Sequence, residues 1–240
     1  MVNWHINKGV VLAAGDGSRL QPITNNYPKV LLPVRGKPLI RYPIEAMAAA
    51  GVRQIAVVIG HLAAKVRAEL SDGRRFGVRL DYIVNPDYSG GNAVSVNKVR
   101  AWAAGEPFVL CMGDHMIEPE MVSRLLAKTT LADTLCVDFA PPAQHCLAEA
   151  TKVVVDSTGY IRHIGKELGY WHALDTGVFL FTDRFLNAID GLLPEFGTEL
   201  GISDVIRFMV SKGEQFATCD VSGCLWRDID TEEDLKHITA

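Results

Sequence analysis

The chain has 240 residues, 48% hydrophobic and 22% charged, a length and composition that suit a globular domain with a sizeable core. A formal net charge of −4 offers no basic field for nucleic acid, so any anion must be met by locally placed cations. No apolar run approaches a membrane span, the N-terminus lacks a signal-peptide segment, and five cysteines without a Cys-x-x-Cys pair suit reduced thiols in the cytoplasm.

Apolar runs alternate with segments of helical period, which predicts a layered α/β fold with helices on both faces of a sheet. The first buried strand leads into Val10-Val11-Leu12-Ala13-Ala14-Gly15-Asp16-Gly17-Ser18-Arg19-Leu20. Its glycines let peptide N–H groups close around an anion, and Arg19 adds a forked, permanently charged donor. A second cation, Lys29, follows in Tyr27-Pro28-Lys29-Val30-Leu31-Leu32-Pro33-Val34. Together they read as a cradle for a nucleoside triphosphate at the carboxyl end of a parallel strand. Two familiar cradles fail: a dinucleotide fingerprint needs glycine where Leu20 stands, and neither Gly36-Lys37-Pro38 nor Gly165-Lys166-Glu167 completes a P-loop.

Further along, residues 39–50 place Ile40, Ile44 and Met47 on one helical face, and residues 55–59 form a buried strand. Leu62, Val66 and Leu70 mark a short helix, and the strand at 80–84 opens into Asn85-Pro86-Asp87-Tyr88-Ser89-Gly90-Gly91-Asn92. A helix begins there with Val96 and Val99 inward; the strand at 108–112 then runs into Gly113-Asp114-His115, and Pro119 suits a first helical turn. Strands are predicted at 134–139, 152–156 and 160–164, with an irregular joint at Pro141-Pro142. Residues 178–181 return as a buried strand, with helices near 183–189 and 202–210, and an extended segment at 225–230 precedes a helix capped by Thr231. One domain over residues 1–240 is predicted, with a nucleotide-binding half at about 1–130 and a smaller acceptor-binding side at about 131–240.

Several residues carry chemistry by position. Asp114 leaves a strand at the edge where open α/β sheets bind ligands, placed for magnesium or for capping the helix at Pro119. His115 suits substrate hydroxyls or a structural hydrogen bond. Asp228 and Asp230 lie two apart on an extended segment, so both face one side, and adjacent carboxylates favour a cation; helix capping is the alternative. The amides of Asn85 and Asn92 flank Gly90 and Gly91, suited to a base edge or to an Asx-turn and cap, with the base over Leu12 and Ala13.

Ala13-Ala14-Gly15-Asp16-Gly17-Ser18-Arg19-Leu20 followed by Pro28-Lys29-Val30-Leu31-Leu32-Pro33-Val34 resembles the signature of the nucleotidyltransferases that activate sugar phosphates. The resemblance implies a Rossmann-like layered α/β/α fold with a mixed central sheet, condensation of an NTP with a phosphorylated alcohol, release of pyrophosphate, and a need for Mg2+. It makes Leu12, Ala13, Ala14, Gly15, Asp16, Gly17 and Ser18, with Asn85, Gly91 and Asn92, the nucleotide site. It puts the metal on Asp114 and on Asp230 of Asp230-Thr231-Glu232-Glu233-Asp234-Leu235, with Asp228 second. On the acceptor side it implies Glu149 and His115 for hydroxyls, Lys166 for the acceptor phosphate, and Asp175 and Thr176 for orientation.

Met112-Gly113-Asp114-His115, Ala150-Thr151-Lys152-Val153, Ile164-Gly165-Lys166-Glu167-Leu168 and Asp175-Thr176-Gly177-Val178-Phe179-Leu180 are similar to the inositol-1-phosphate cytidylyltransferases, in order along nearly the whole chain. The reaction so implied is attack of inositol-1-phosphate on CTP, with Arg19, Lys29 and Lys166 as catalytic cations. Cytidylyltransferases for choline phosphate or phosphonates share parts of these motifs, so other acceptors stay open. A non-catalytic nucleotide-binding module is the rival of another class, and the full set of charged residues argues against it. The implied partners are CTP, a small phosphorylated acceptor, a second copy in a homodimer, and a separate membrane transferase that consumes the CDP product.

Overall fold

Strand β1 (Lys8–Ala13) is buried at every position, which the middle of a parallel sheet covered on both faces provides. The structure is a computed structural model that describes residues 6–128, 131–141 and 147–239, the side chains of 236–239 excepted. After β1 come a small hairpin of β2 (Pro33–Val34) and β3 (Lys37–Pro38), helix α1 (Arg41–Ala49) and strand β4 (Gln54–Ile59). Helix α2 (Ala63–Leu70) leads to β5 (Arg79–Val84), and α3 (Asn92–Asn97) with the short α4 (Arg100–Ala103) leads to β6 (Phe108–Met112). The chain continues through β7 (His115–Ile117), α5 (Pro119–Ala127), β8 (Thr134–Asp138), β9 (Lys152–Val155) and β10 (Ile161–Gly165). It ends with β11 (Ala173–Phe181), α6 (Asp183–Phe196), α7 (Ile202–Ser211), β12 (Ala217–Asp220), β13 (Trp226–Asp228) and α8 (Glu232–Thr239).

The central sheet runs β10-β9-β11-β6-β1-β4-β5 without a break between the two halves, with β8 on β11 and β12 on β8. Strands β6, β1, β4 and β5 are parallel, and β11 turns the sheet antiparallel at β6, so it is mixed as the resemblance implies. Successive residues of β1 serve opposite faces. Val10 and Leu12 join the core under α3, α6 and α7, while Val11 and Ala13 join the core under α1, α2 and α5. Among the described residues no helix is long and apolar enough to cross a membrane.

The predicted elements are present, with differences. Helix α6 extends to Phe196, well past residue 189, because Leu192 and Leu193 continue its apolar stripe. Strand β11 starts at Ala173, five residues before the predicted strand, because its first half is held by β8 and β9. Strands β7 and β12 were not predicted, and Pro142 and Cys146 lie outside the described residues.

Two local features shape the site. Along one edge of β11, residues 178–181 pair with β6 and residues 173–174 pair with β9, and the register with β8 shifts between Asp175 and Phe179. Gly177 takes φ 73° in that irregular stretch, and a Cβ there would lie 2.7 Å from the His115 ring. The second feature joins the loop after β5 to the junction of α6 and α7. Gly91 N–H donates to the Thr198 carbonyl at 2.7 Å and Ala93 N–H to the Leu200 carbonyl at 3.1 Å.

A Cβ on Gly91 would lie 2.1 Å from the Leu200 carbonyl oxygen, a backbone atom that cannot turn aside. Gly91→Ala should therefore lower the unfolding free energy by about 1–3 kcal/mol, read by urea denaturation. An unchanged midpoint would mean that the two loops do not pack in this way.

Candidate active site

The loop leaving β1 is held in shape by its own groups. Gly17 takes φ 65°, Ser18 N–H donates to Asp16 Oδ1 at 3.1 Å, and Thr24 Oγ1 donates to the Gly17 carbonyl at 2.8 Å. Leu20, where a dinucleotide fold would have glycine, is fully buried and pins the loop to the core. A Cβ on Gly17 would lie 2.8 Å from Lys29 Cβ, so the glycine lets Lys29 pass close beneath the loop. Lys29 opens a short 3-10 turn and is only 8% exposed.

The ends of β6 and β13 bring carboxylates to this lysine. Lys29 Nζ lies 2.6 Å from Asp114 Oδ2 and 2.5 Å from Asp230 Oδ1. Arg19 Nη2 donates to Asp230 Oδ2 at 2.7 Å, and Asp114 Oδ1 pairs with His115 Nδ1 at 2.9 Å. On the open side, Glu149 Oε2 lies 3.6 Å from Arg19 Nη1 and 3.5 Å from Lys166 Nζ. Alternating charges thus run from Lys166 through Glu149, Arg19, Asp230, Lys29 and Asp114 to His115. Asp234 Oδ2 accepts from the N–H groups of Asp230 and Thr231 at 3.0 and 2.7 Å, which caps α8 and fixes the backbone that carries Asp230.

Burial pulls the Lys29 pKa down, but Asp114 and Asp230 outweigh it and hold the ammonium above its usual pKa. Burial likewise pushes the Asp114 carboxyl up, and Lys29 with His115 overcomes it, leaving the carboxyl well below the usual carboxylate range. For His115, burial works downward, while the Asp114 hydrogen bond and the charges of Asp114 and Asp228 prevail and raise it.

Two clefts meet at this line of charge. One, of about 700 Å³, is floored by Leu12, Ala13 and Ala14 and walled by Gly15 through Ser18 and by Gly91. The other, of about 540 Å³, holds His115, Glu149, Asp175 and Asp228. Arg19, Asn92, Met112, Asp114, Lys166 and Asp230 line both.

Residues 8–240 match the Nucleotidyl transferase family. The chain belongs to that family. It is 33% identical over 228 residues to a bifunctional IPC transferase and DIPP synthase of Rubrobacter xylanophilus, covering 94% of this chain and 50% of that protein. It is 28% identical to a glucose-1-phosphate thymidylyltransferase of Streptomyces griseus, covering 96% of this chain and 64% of that one. The chain thus spans between half and two thirds of these relatives' length. Its fold matches the inositol-1-phosphate CTP transferase from T. maritima with a TM-score of 0.85 at 26% identity, covering 97% of this chain and 93% of the other. The mixed α/β fold is therefore the one this family shares.

Within this family member, not every expected site residue reaches a cleft. Asn85 is fully buried: its amide donates to Ser95 Oγ at 2.8 Å and its carbonyl accepts from Asp87 N–H at 3.0 Å. It shapes the loop from below, as its Asx-turn alternative requires, and has no free edge for a base. Thr176 is also fully buried and donates to the Cys136 carbonyl at 2.9 Å, which directs it into β8 and away from the cleft that holds Asp175. Asn92 lines both clefts while its Oδ1 accepts the Ile202 N–H at 2.7 Å, so it also caps α7. Gly90 and Gly91 owe their missing side chains to residues 198–200. Unanticipated lining residues include Tyr88, Glu199 and Gly201 in the cleft floored by Leu12 and Thr151, Ser203 and Trp226 in the cleft that holds His115. Tyr88 stood inside the predicted loop, Thr151 inside the motif at 150–153 and Trp226 in the extended segment at 225–230; Glu199, Gly201 and Ser203 arrive through tertiary contacts that no local pattern announces.

Asp114 and Asp230 converge from different elements on one cationic centre, Lys29 Nζ, which is what a divalent ion also asks of two carboxylates. Among the described residues no group of three or more His, Cys, Asp or Glu gathers for a metal. The donor set fits magnesium. Asp228 stands apart from this pair: it lies opposite His115 in the β7–β13 ladder, and its charge acts on His115 and Asp175.

Asp175 is pushed up to about 6 by burial, with the Gly177 N–H bond at 2.8 Å and His115 opposing and Asp228 assisting. The unfolded carboxyl titrates near ~3.9, so between these values the folded chain holds a proton that the unfolded chain has lost. Asp175 therefore makes stability fall as pH rises from about 4 to about 6. Asp175→Asn should shrink the drop in unfolding free energy between pH 4 and pH 7 by about 1–3 kcal/mol, measured by denaturant titration at both pH values.

Proposed function

We propose that the chain condenses CTP with inositol-1-phosphate to give CDP-inositol and pyrophosphate. The observation that carries the reading is the line of charge from Lys166 to His115, set where two clefts meet. Two separate anionic substrates can approach each other only where cations cancel their repulsion. The names of the Rubrobacter and T. maritima proteins support the inositol phosphate, and the T. maritima name supports CTP.

In this reading the cleft floored by Leu12 and Ala13 takes the nucleotide, with the triphosphate against the amides of Gly15 through Ser18 and the Arg19 guanidinium. The other cleft takes the acceptor: Lys166 meets its phosphate, and Glu149, His115 and Asp175 face its hydroxyls. An oxygen of the acceptor phosphate attacks the α-phosphorus of CTP, a new O–P bond forms, and the bond to the β-phosphate oxygen breaks. No protein nucleophile or base is needed, since the attacking group is already an anion; the protein orients the partners and neutralises charge. Lys29, buried and permanently charged, faces the reacting phosphates. A magnesium ion held by Asp114 and Asp230 would add charge neutralisation at the α-phosphate. The setting proposed for this reaction is the cytoplasm, where CTP is available.

A pyrophosphate-release assay crossing four NTPs with inositol-1-phosphate, hexose-1-phosphates, phosphocholine and simple phosphonates, with and without magnesium, tests the assignment. Release with CTP and inositol-1-phosphate is expected. Turnover with another acceptor would keep the chemistry and change the substrate, and binding of CTP without turnover on any acceptor would make the chain a nucleotide-binding module. Lys29→Ala should lower kcat and kcat/KM together by about 10²–10³, as for a contact made in the transition state. A folded variant with unchanged kcat would remove Lys29 from the reaction.

A further inference from the structure

Arg19 and Lys166 line both clefts, and Glu149 lines the acceptor cleft between them. A single oxygen, Glu149 Oε2, serves both cations, at 3.6 Å from Arg19 Nη1 and 3.5 Å from Lys166 Nζ. The other terminal nitrogen of Arg19, Nη2, stays on Asp230 at 2.7 Å. The three side chains are 52%, 59% and 51% exposed for Arg19, Glu149 and Lys166, so the bridge is open to solutes and weak enough to be displaced. Any phosphate that reaches either cation must compete with this carboxylate.

We propose that Glu149 is a counter-ion shared by the two substrate sites, and that nucleotide binding expels it from both cations at once. The inference rests on the nucleotidyltransferase reading of the clefts. A triphosphate on Arg19 takes one of Glu149's partners and repels its carboxylate from the seam, which leaves Lys166 open for the acceptor phosphate. Binding of nucleotide then favours binding of acceptor, and by linkage the acceptor favours the nucleotide equally. A residue that merely touches the acceptor would behave differently, since its removal weakens acceptor binding and leaves the nucleotide alone.

Isothermal titration calorimetry with the α,β-methylene analogue of CTP, which cannot release pyrophosphate, and with inositol-1-phosphate separates the two roles. Glu149→Gln should bind the analogue alone about two- to fivefold tighter than wild type, the range open to an exposed ion pair. In wild type, saturating analogue should tighten inositol-1-phosphate by a similar factor, and in Glu149→Gln that factor should fall to about one. Unchanged or weaker binding of the analogue alone by Glu149→Gln overturns the inference while the function stands. Wild-type protein that binds no analogue overturns the nucleotidyltransferase reading, and the inference falls with it.

Discussion

The site depends on a buried lysine whose charge two carboxylates hold against the cost of burial. Lys29 sits under the loop after β1 with almost no access to water, and Asp114 and Asp230 approach its ammonium from separate parts of the chain. Removing one of the three weakens pairing in a poorly solvated place, which is costlier than losing a surface pair. The arrangement also explains why neither carboxylate needs a third acidic neighbour. Each has a second cationic partner, His115 for Asp114 and Arg19 for Asp230, so the cluster is balanced residue by residue.

The fold supplies this convergence through its strand ends. Strands β1 and β6 are parallel neighbours, so the loop after one and Asp114 after the other emerge at the same edge. The ladder between β7 and β13 brings the last part of the chain back to that edge, and Asp230 follows directly. A satellite core of Val34, Leu39, Met116 and Ile229 ties the β2–β3 hairpin, β7 and the end of β13 together beneath it. The irregular stretch of β11 does the corresponding work at the cleft that holds His115. A regular strand would have continued its ladder there, whereas the register shift and Gly177 bring Asp175 and the His115 ring to the cleft.

What the sequence disclosed follows from how locally each feature is encoded. The cradle at Gly15 through Arg19 and the cation at Lys29 occupy two short segments whose residue types have few other uses together, so they could be read without a fold. The core strands were legible for the same reason: β1, β4 and β6 are continuous apolar runs. Asn85 and Thr176 misled because an amide or hydroxyl beside a site looks the same whether its partner is a ligand or the protein. Only the fold shows that Ser95 and the Cys136 carbonyl claim them. Strands β7 and β12 were hidden by brevity, and Glu199 and Gly201 enter the cleft floored by Leu12 from a junction with no chemical signature.

Because residues 198–200 receive the backbone donors of Gly91 and Ala93, the wall of the cleft floored by Leu12 is built jointly by segments far apart along the chain. The early segment cannot complete that wall by itself: its glycines would face water and its amide groups would lack their carbonyls. The wall therefore exists only where the junction of α6 and α7 packs against the loop after β5. A graft of the loop after β5 without its opposing carbonyls would therefore carry over the glycines and lose the wall.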